Sequence, residues 1–145
     1  MPQPTLSHTT YVKCRPAEAW RAIVDGDLTE PYCYGTRVES TWEPGAAIRY
    51  LSADGGIVAD GAVVAIEAPH RLEMDFHPRW SPEMEAEGPV REVWVVAAAG
   101  DLTKVSLEAL DIDPASTTYA EFSEGLPFIL SGMQRELEKR STDGD

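Results

Sequence analysis

Alternation between apolar and polar residues through the middle of the chain predicts a series of β-strands. It is clearest in the segment RLEMDF, where Leu72, Met74 and Phe76 share one face of a strand while Glu73 and Asp75 share the other. This alternation and the clusters of β-branched and aromatic residues predict strands over residues 7–14, 36–42, 47–51, 57–66, 71–77, 90–98 and 103–110. Short turns rich in Gly, Pro and Asp connect the later strands, so we expect an antiparallel meander.

Helical spacing of apolar residues predicts a short helix over residues 16–25 and a long helix at the C-terminus. Residues 28–35 hold two tyrosines around a proline, which predicts one helical turn or a loop. The apolar stripe of the long helix, with Glu and Arg opposite, consists of Tyr119, Phe122, Leu126, Ile129, Met133 and Leu137. Pro127 lies inside this stripe, so we expect the helix to kink or restart there. The polar tail after Glu138 is expected to fray.

These elements predict an α+β fold with an antiparallel sheet of six to seven strands. Two short helices follow the first strand, and the long C-terminal helix lies across the sheet. Alternation along the strands gives the sheet one wet face and one covered face. We expect the C-terminal helix to provide the cover.

The composition is that of one acidic domain spanning residues 1–145. The sequence has 12 Lys and Arg residues against 25 Asp and Glu residues, and its formal net charge is −13. Such a field repels phosphate backbones and anionic lipids, so neither nucleic acid nor a membrane is an expected partner. No segment has the pattern of a signal peptide or the length of a membrane span, so we expect a cytoplasmic protein.

Five motifs occur in order over nearly the whole chain. They are PAEAWRAIVD after the first strand, WEPGAAIRY, DGGIVADGAVVAIEAPHRLEMDF, a strand with Thr103, Val105 and Leu107, and GLPFILSGMQRELE near the end. Together they resemble the family named for homology to the activator of the heat-shock-protein-90 ATPase, within the START-like (SRPBCC) superfamily that includes the birch pollen allergen. The resemblance implies a helix-grip fold, in which a curved sheet grips the final helix and leaves a cavity between them.

Two positions depart from the family pattern. The C-terminal motif usually carries an aromatic residue where this chain has Leu126, and paired tryptophans often stand where this chain has Tyr32, Cys33 and Tyr34. We expect both changes to reshape the cavity, so another member's ligand cannot be carried over to this chain. Namesake co-chaperones also have a separate chaperone-binding domain that this sequence lacks, and chaperone activation is therefore not the expected function.

Ten apolar or aromatic residues are candidates to contact a ligand in the cavity. They are Tyr32, Trp42, Tyr50, Phe76, Trp94, Val96, Phe122, Leu126, Ile129 and Met133. The alternative for each of them is that it only fills the core, because core residues outnumber ligand contacts in any domain.

Glu92 is the one candidate for acid–base chemistry. It shares strand parity with Trp94 and Val96, so its carboxyl group points either into the cavity or, if the register is shifted, out to solvent at the start of the strand. An inward carboxyl group would have a raised pKa and could act as a general acid or hold a polar group of a ligand. The pair Asp75 and His77 falls on the opposite face of its strand and is expected to be exposed.

The sequence favours neither a metal nor a cofactor. His8 and His70 have no partners at ligand spacing, and Cys14 and Cys33 match no zinc or redox pattern, so idle thiols are expected. The chain has no P-loop, dinucleotide fingerprint or nucleophile elbow.

Residues 78–89 hold three prolines and three glutamates and predict a mobile flap. Its acids, Glu83, Glu85 and Glu87, are most simply a solvated surface. If the flap borders the cavity mouth, its charge would disfavour fatty acids and favour neutral or cationic ligands.

Three classes of function follow. The favoured hypothesis is a non-enzymatic carrier or sensor of a small apolar molecule, as a monomer or homodimer. The second is a START-like enzyme of the cyclase or hydrolase type, using Glu92 with Tyr50 or Tyr32. The third is a protein-interaction module in which Trp80, Met84 and the helix form an apolar patch.

Overall fold

Strands make up most of the chain between two short N-terminal helices and one long C-terminal helix. The computed structural model describes residues 3–143, with the side chains of residues 3–140. Within that range there are seven strands, β1 (Leu6–Val12), β2 (Arg37–Glu39), β3 (Ala47–Leu51), β4 (Ile57–Glu67), β5 (Arg71–Pro78), β6 (Val90–Ala99) and β7 (Leu102–Leu110). The same range holds four helices, α1 (Pro16–Val24), α2 (Gly26–Thr29), α3 (Pro82–Glu87) and α4 (Thr117–Asp143).

The seven described strands form one curved antiparallel sheet in the order β1-β7-β6-β5-β4-β3-β2. From β2 to β7 each strand pairs with the next along the chain, as the short connections predict, and β1 joins the free side of β7. A bulge between Val63 and Ala65 interrupts the pairing of β4 with β5, and bulges bend a strand and increase its twist. The result is the predicted α+β, helix-grip fold.

Helix α4 packs against β1 and β7 and covers the inner face of the sheet. Its buried stripe includes Phe122, Leu126, Met133 and Leu137, each at most 5 % exposed. Opposite them the inner face presents Leu72 and Met74, which are fully buried. The apolar stripe predicted for the helix and the apolar face predicted for the strands therefore pack against each other in one core.

Helix α4 does not restart at Pro127, although a restart was one of the two outcomes expected there. The helix continues through Pro127 to Asp143, beyond the point where fraying was expected. Proline removes one backbone hydrogen bond, but Leu126 and Leu130 on either side are both 2 % exposed and hold the two halves against the same core.

The predicted mobile flap contains a helix, α3. The Ser81 hydroxyl accepts a hydrogen bond from the Met84 amide at 3.3 Å, and Pro82 occupies the first turn, where its missing amide proton costs nothing. Met84 is fully buried and anchors the helix. At its end, the Glu87 carboxylate accepts hydrogen bonds from the Thr117 and Thr118 amides, both at 2.8 Å, and so caps the start of α4.

The strand predicted over residues 36–42 is shorter than expected, because β2 ends at Glu39. Trp42 adopts a left-handed backbone conformation with φ of 61°, which is incompatible with a continuing strand. Its indole nitrogen donates to the Val24 carbonyl oxygen at 3.1 Å, so the side chain is tied to the end of α1.

Candidate functional site

A cavity of about 290 Å³ lies between the inner face of the sheet and α4. The sheet contributes Tyr50, Val58, Ala59, Phe76 and Glu92. Helix α4 contributes Glu121, Phe122, Gly125, Leu126 and Ile129. The segments after α2 and β5 close the remaining sides with Cys33, Tyr34 and Trp80. The volume is at the small end of the range of small-molecule sites.

Phe76 on β5 is the centre of an aromatic cluster in the cavity wall. Its ring centroid lies 5.4 Å from that of Tyr50, 6.0 Å from that of Phe122 and 6.2 Å from that of Trp80. The three neighbouring rings are inclined to it by 62–65°, an edge-to-face arrangement that aromatic pairs favour. The rings therefore form the angled walls of a box rather than one flat stack.

Tyr34 and Phe128 form an exposed aromatic pair beside the cavity. Their rings stack at 5.2 Å with an interplanar angle of 18°, although both side chains are more than half exposed. Tyr34 also lines the cavity, and its hydroxyl lies 3.6 Å from the position that a Cβ atom at Gly125 would occupy. The pair therefore sits where the cavity opens to solvent.

Glu92 points into the cavity from β6. It pairs with Met74 on β5 and with Ala109 on β7, and both of these neighbours are fully buried. The Glu92 residue is 5 % exposed, and no described residue provides its carboxyl group with a hydrogen bond or an ion pair. Burial raises the pKa of Glu92 from 4.5 to about 8, because the charged form loses its hydration. Of the two orientations considered from the sequence, the inward one is present.

Tyr50 and Cys33 are ionisable residues that line the cavity together with Glu92. Burial raises the pKa of the Cys33 thiol to about 11 and raises that of Tyr50 well above its usual value. The Tyr50 hydroxyl lies 4.0 Å from the sulfur of Met74, the cross-strand neighbour of Glu92. At neutral pH the thiol and the phenol are therefore both protonated and uncharged.

Five of the ten residues predicted to contact a ligand line the cavity, and five do not. Those that line it are Tyr50, Phe76, Phe122, Leu126 and Ile129. The other five, Tyr32, Trp42, Trp94, Val96 and Met133, belong to the surrounding core. That any of the ten contacts a ligand stays a prediction.

Helix α1 packs next to some of the predicted residues that do not line the cavity. It packs against β6, the strand that carries Trp94 and Val96, and against β7. The Tyr32 hydroxyl donates to the Ala22 carbonyl oxygen in α1 at 2.6 Å. Trp94 is 6 % exposed, and its indole nitrogen is buried with no hydrogen-bond partner among the described residues.

Several cavity residues were not among the predicted ligand contacts. Cys33 and Tyr34 occupy the positions where the sequence departs from the family pattern, and that departure was the available signal. Glu121 and Gly125 precede Ile129 at four-residue spacing and so share its side of the helix. A search for apolar residues does not find them, because Glu121 is charged and Gly125 has no side chain.

The outer face of the sheet holds the remaining candidates for acid–base chemistry. The His77 ring bonds to the Glu85 carbonyl oxygen at 2.8 Å, while Asp75 accepts from Arg91 at 2.8 Å. The two side chains therefore have separate partners rather than forming a pair. No three His, Cys, Asp or Glu residues in the described part of the chain come together as metal ligands.

None of the three acids of the flap lines the cavity. Glu85 pairs with Arg79 at 3.0 Å, Glu83 accepts from Ser81 at 2.9 Å, and Glu87 caps α4. The acid at the cavity opening is Glu121 of α4 instead, and it is exposed.

A sheet that grips a long helix around an apolar cavity defines the START-like class of proteins. Residues 13–138 match the model of the family described as Activator of Hsp90 ATPase homolog 1-like protein. The chain belongs to that family. A comparison with curated proteins finds no significant sequence match. No helix within residues 3–143 combines the length and apolar character needed to cross a membrane.

Solved structures of low sequence identity share this fold. Protein MLL2253 from Mesorhizobium loti has a TM-score of 0.78 at 17 % identity, with 94 % of this chain and 98 % of that chain covered. The Aha1 dimer from Colwellia psychrerythraea has a TM-score of 0.75 at 12 % identity, with 94 % of this chain and 97 % of that chain covered. CalU16 from Micromonospora echinospora has a TM-score of 0.69 at 15 % identity, with 90 % of this chain and 71 % of that chain covered.

Proposed function

We propose that this protein is a carrier or sensor that binds a small, largely apolar molecule in the cavity between the sheet and α4, with the whole chain acting as one ligand-binding domain. The observation that carries the proposal is an open volume of about 290 Å³ inside an otherwise apolar core, walled mainly by aromatic and aliphatic side chains. Protein interiors are normally close-packed, so a volume of this size needs an explanation. Members of the family commonly bind small hydrophobic ligands, which agrees with that use.

Two alternatives have less support. An enzyme using Glu92 with Tyr32 is disfavoured because the Tyr32 hydroxyl bonds to the backbone of α1 and does not line the cavity. An interaction module built on Trp80 and Met84 is disfavoured because Met84 is fully buried. Tyr50 and Cys33 still line the cavity with Glu92, but burial keeps the phenol and the thiol protonated at neutral pH, so neither is an activated nucleophile.

Gly125 offers a way to fill the cavity without disturbing the fold. A Cβ atom at this position meets only the Tyr34 hydroxyl, at an ordinary contact distance of 3.6 Å. Replacing a helical glycine with leucine also gains on the order of 0.5–1 kcal/mol of helix propensity. We therefore expect Gly125→Leu to fold normally and to occupy the space that a ligand needs.

The test is a fluorescence titration with N-phenyl-1-naphthylamine, a neutral apolar dye that brightens in apolar surroundings. We expect saturable binding to the unmodified chain and at least tenfold weaker binding to Gly125→Leu. The matched control is Ser131→Leu, which adds a leucine at an exposed position of the same helix. Equal binding by all three proteins would show that the dye does not occupy the cavity and would contradict the proposal.

A further inference from the structure

The lining of the cavity has a distinctive chemistry. It contains five aromatic residues, Tyr34, Tyr50, Phe76, Trp80 and Phe122. It also contains two carboxyl groups, but no Lys, Arg or His among the described residues that line it. Aromatic faces and carboxylates both attract positive charge, whereas neither attracts an anion.

Glu92 gives this lining a buried anchor. The Glu92 residue is 5 % exposed and lines the cavity, and its carboxyl group has no partner among the described residues. A buried polar group without a partner carries a desolvation cost, which a complementary group on a ligand would remove. The neighbouring residues across the sheet cannot pair with this carboxyl group, because they are the apolar Met74 and Ala109.

We propose that the cavity selects organic cations, with a ligand's ammonium group held between the aromatic walls and paired with the Glu92 carboxylate. This inference rests on the proposed function and names the ligand class of the same site. A cation–π contact is strengthened when both partners are removed from water, and the buried carboxylate adds an ion pair that water screens only weakly. Glu121 at the opening and the net charge of −13 favour the approach of a cation in the same way.

The affinity of this site for a cation should increase with pH. The ionisable groups that line the cavity with Glu92 are Cys33 and Tyr34 from the segment after α2, Tyr50 from β3 and Glu121 from α4, while β5 and β7 place uncharged side chains beside it. A permanent cation binds the carboxylate form, so below the pKa of Glu92, about 8, binding must release a proton. Affinity for such a cation should therefore rise by up to about tenfold per pH unit and level off above pH 8.

The experiment uses competition against bound N-phenyl-1-naphthylamine by three probes of similar size. They are benzyltrimethylammonium, its neutral carbon isostere neopentylbenzene, and the anion phenylacetate. At pH 8 we expect the cation to bind the unmodified chain at least tenfold more tightly than the isostere, and the anion to bind most weakly. We expect Glu92→Gln to bind the isostere as before and to lose the preference for the cation. The control Glu124→Gln removes an exposed charge from α4 and should keep the preference.

The outcomes separate this inference from the proposed function. If the dye binds the unmodified chain but the cation shows no preference over its isostere, the ligand class is wrong and the cavity site stands. If Glu92→Gln keeps the preference, Glu92 is not the anchor. The pH dependence of cation binding to the unmodified chain is an independent measurement, so a flat profile between pH 6 and 8 overturns the inference even if the variant does not fold. If the dye itself fails to bind in the cavity, the proposed function fails first.

Discussion

At the scale of single residues, Glu92 makes the stability of the fold depend on pH. Burial raises the pKa of Glu92 from 4.5 to about 8, so between these values the folded state binds a proton that the unfolded state releases. Its contribution is therefore fully present below pH 4.5 and is lost as the pH rises to about 8. Glutamine has nearly the same shape as glutamate but does not ionise.

We predict that the free energy of unfolding of the unmodified chain falls relative to that of Glu92→Gln across this range, by on the order of 3–5 kcal/mol. Urea denaturation of both proteins at intervals from pH 4.5 to 8.5 measures the difference, and other titrating groups cancel because both proteins contain them. Parallel stability curves would mean that Glu92 is solvated or paired in the folded protein.

At the scale of elements, the start of α4 depends on a side chain from another helix. Glu87 at the end of α3 accepts hydrogen bonds from the Thr118 hydroxyl and from the backbone amides of Thr118 and Thr117, and these bonds lower the pKa of Glu87. The carboxylate also lies at the positive end of the α4 dipole. A group with a lowered pKa stabilises the fold above its unfolded pKa and loses that effect as the pH falls through its folded pKa.

We predict that Glu87→Ala lowers the Tm at pH 7 and that the difference from the unmodified chain shrinks near pH 3. Thermal melts followed by circular dichroism at both pH values provide the measurement. Glu124→Ala, an exposed acid within α4, is the control and should leave the Tm nearly unchanged. A Tm of Glu87→Ala equal to that of the control at pH 7 would show that the cap does not stabilise α4.

The elements themselves were largely predictable, because the local pattern decides them where one face is buried. The strand predicted over residues 47–51 matches β3, and five other predicted strands begin and end within two residues of the observed ones. Helix α3 was missed because only one of its residues, Met84, is buried, so the segment shows no helical period of apolar residues. Ser81 and Pro82 nevertheless form a recognisable helix start. The short β2 depends on the backbone conformation of Trp42, which no period in the sequence reveals.

At the scale of the whole molecule, the cavity was predictable in kind but not in detail. Parity correctly placed Tyr50 and Phe76 on the inner face, but it left open whether Glu92 points inward or outward. It placed Trp94 there too, but which part of that face stays open depends on where α1 packs, a long-range property of the fold. The family pattern was the better guide here, because its two departures fall on Leu126 and on the segment holding Cys33, and both line the cavity.

The most direct test of the account is to locate a bound molecule by nuclear Overhauser effects in the isotope-labelled chain saturated with N-phenyl-1-naphthylamine. We predict contacts from the dye to the rings of Phe76 and Phe122 and to the methyl groups of Ile129, all of which line the cavity. Contacts confined to the exposed side chains Ile57 and Val64, with none to Phe76 or Phe122, would place the dye on the surface and contradict the claim that the protein holds a ligand between its sheet and α4.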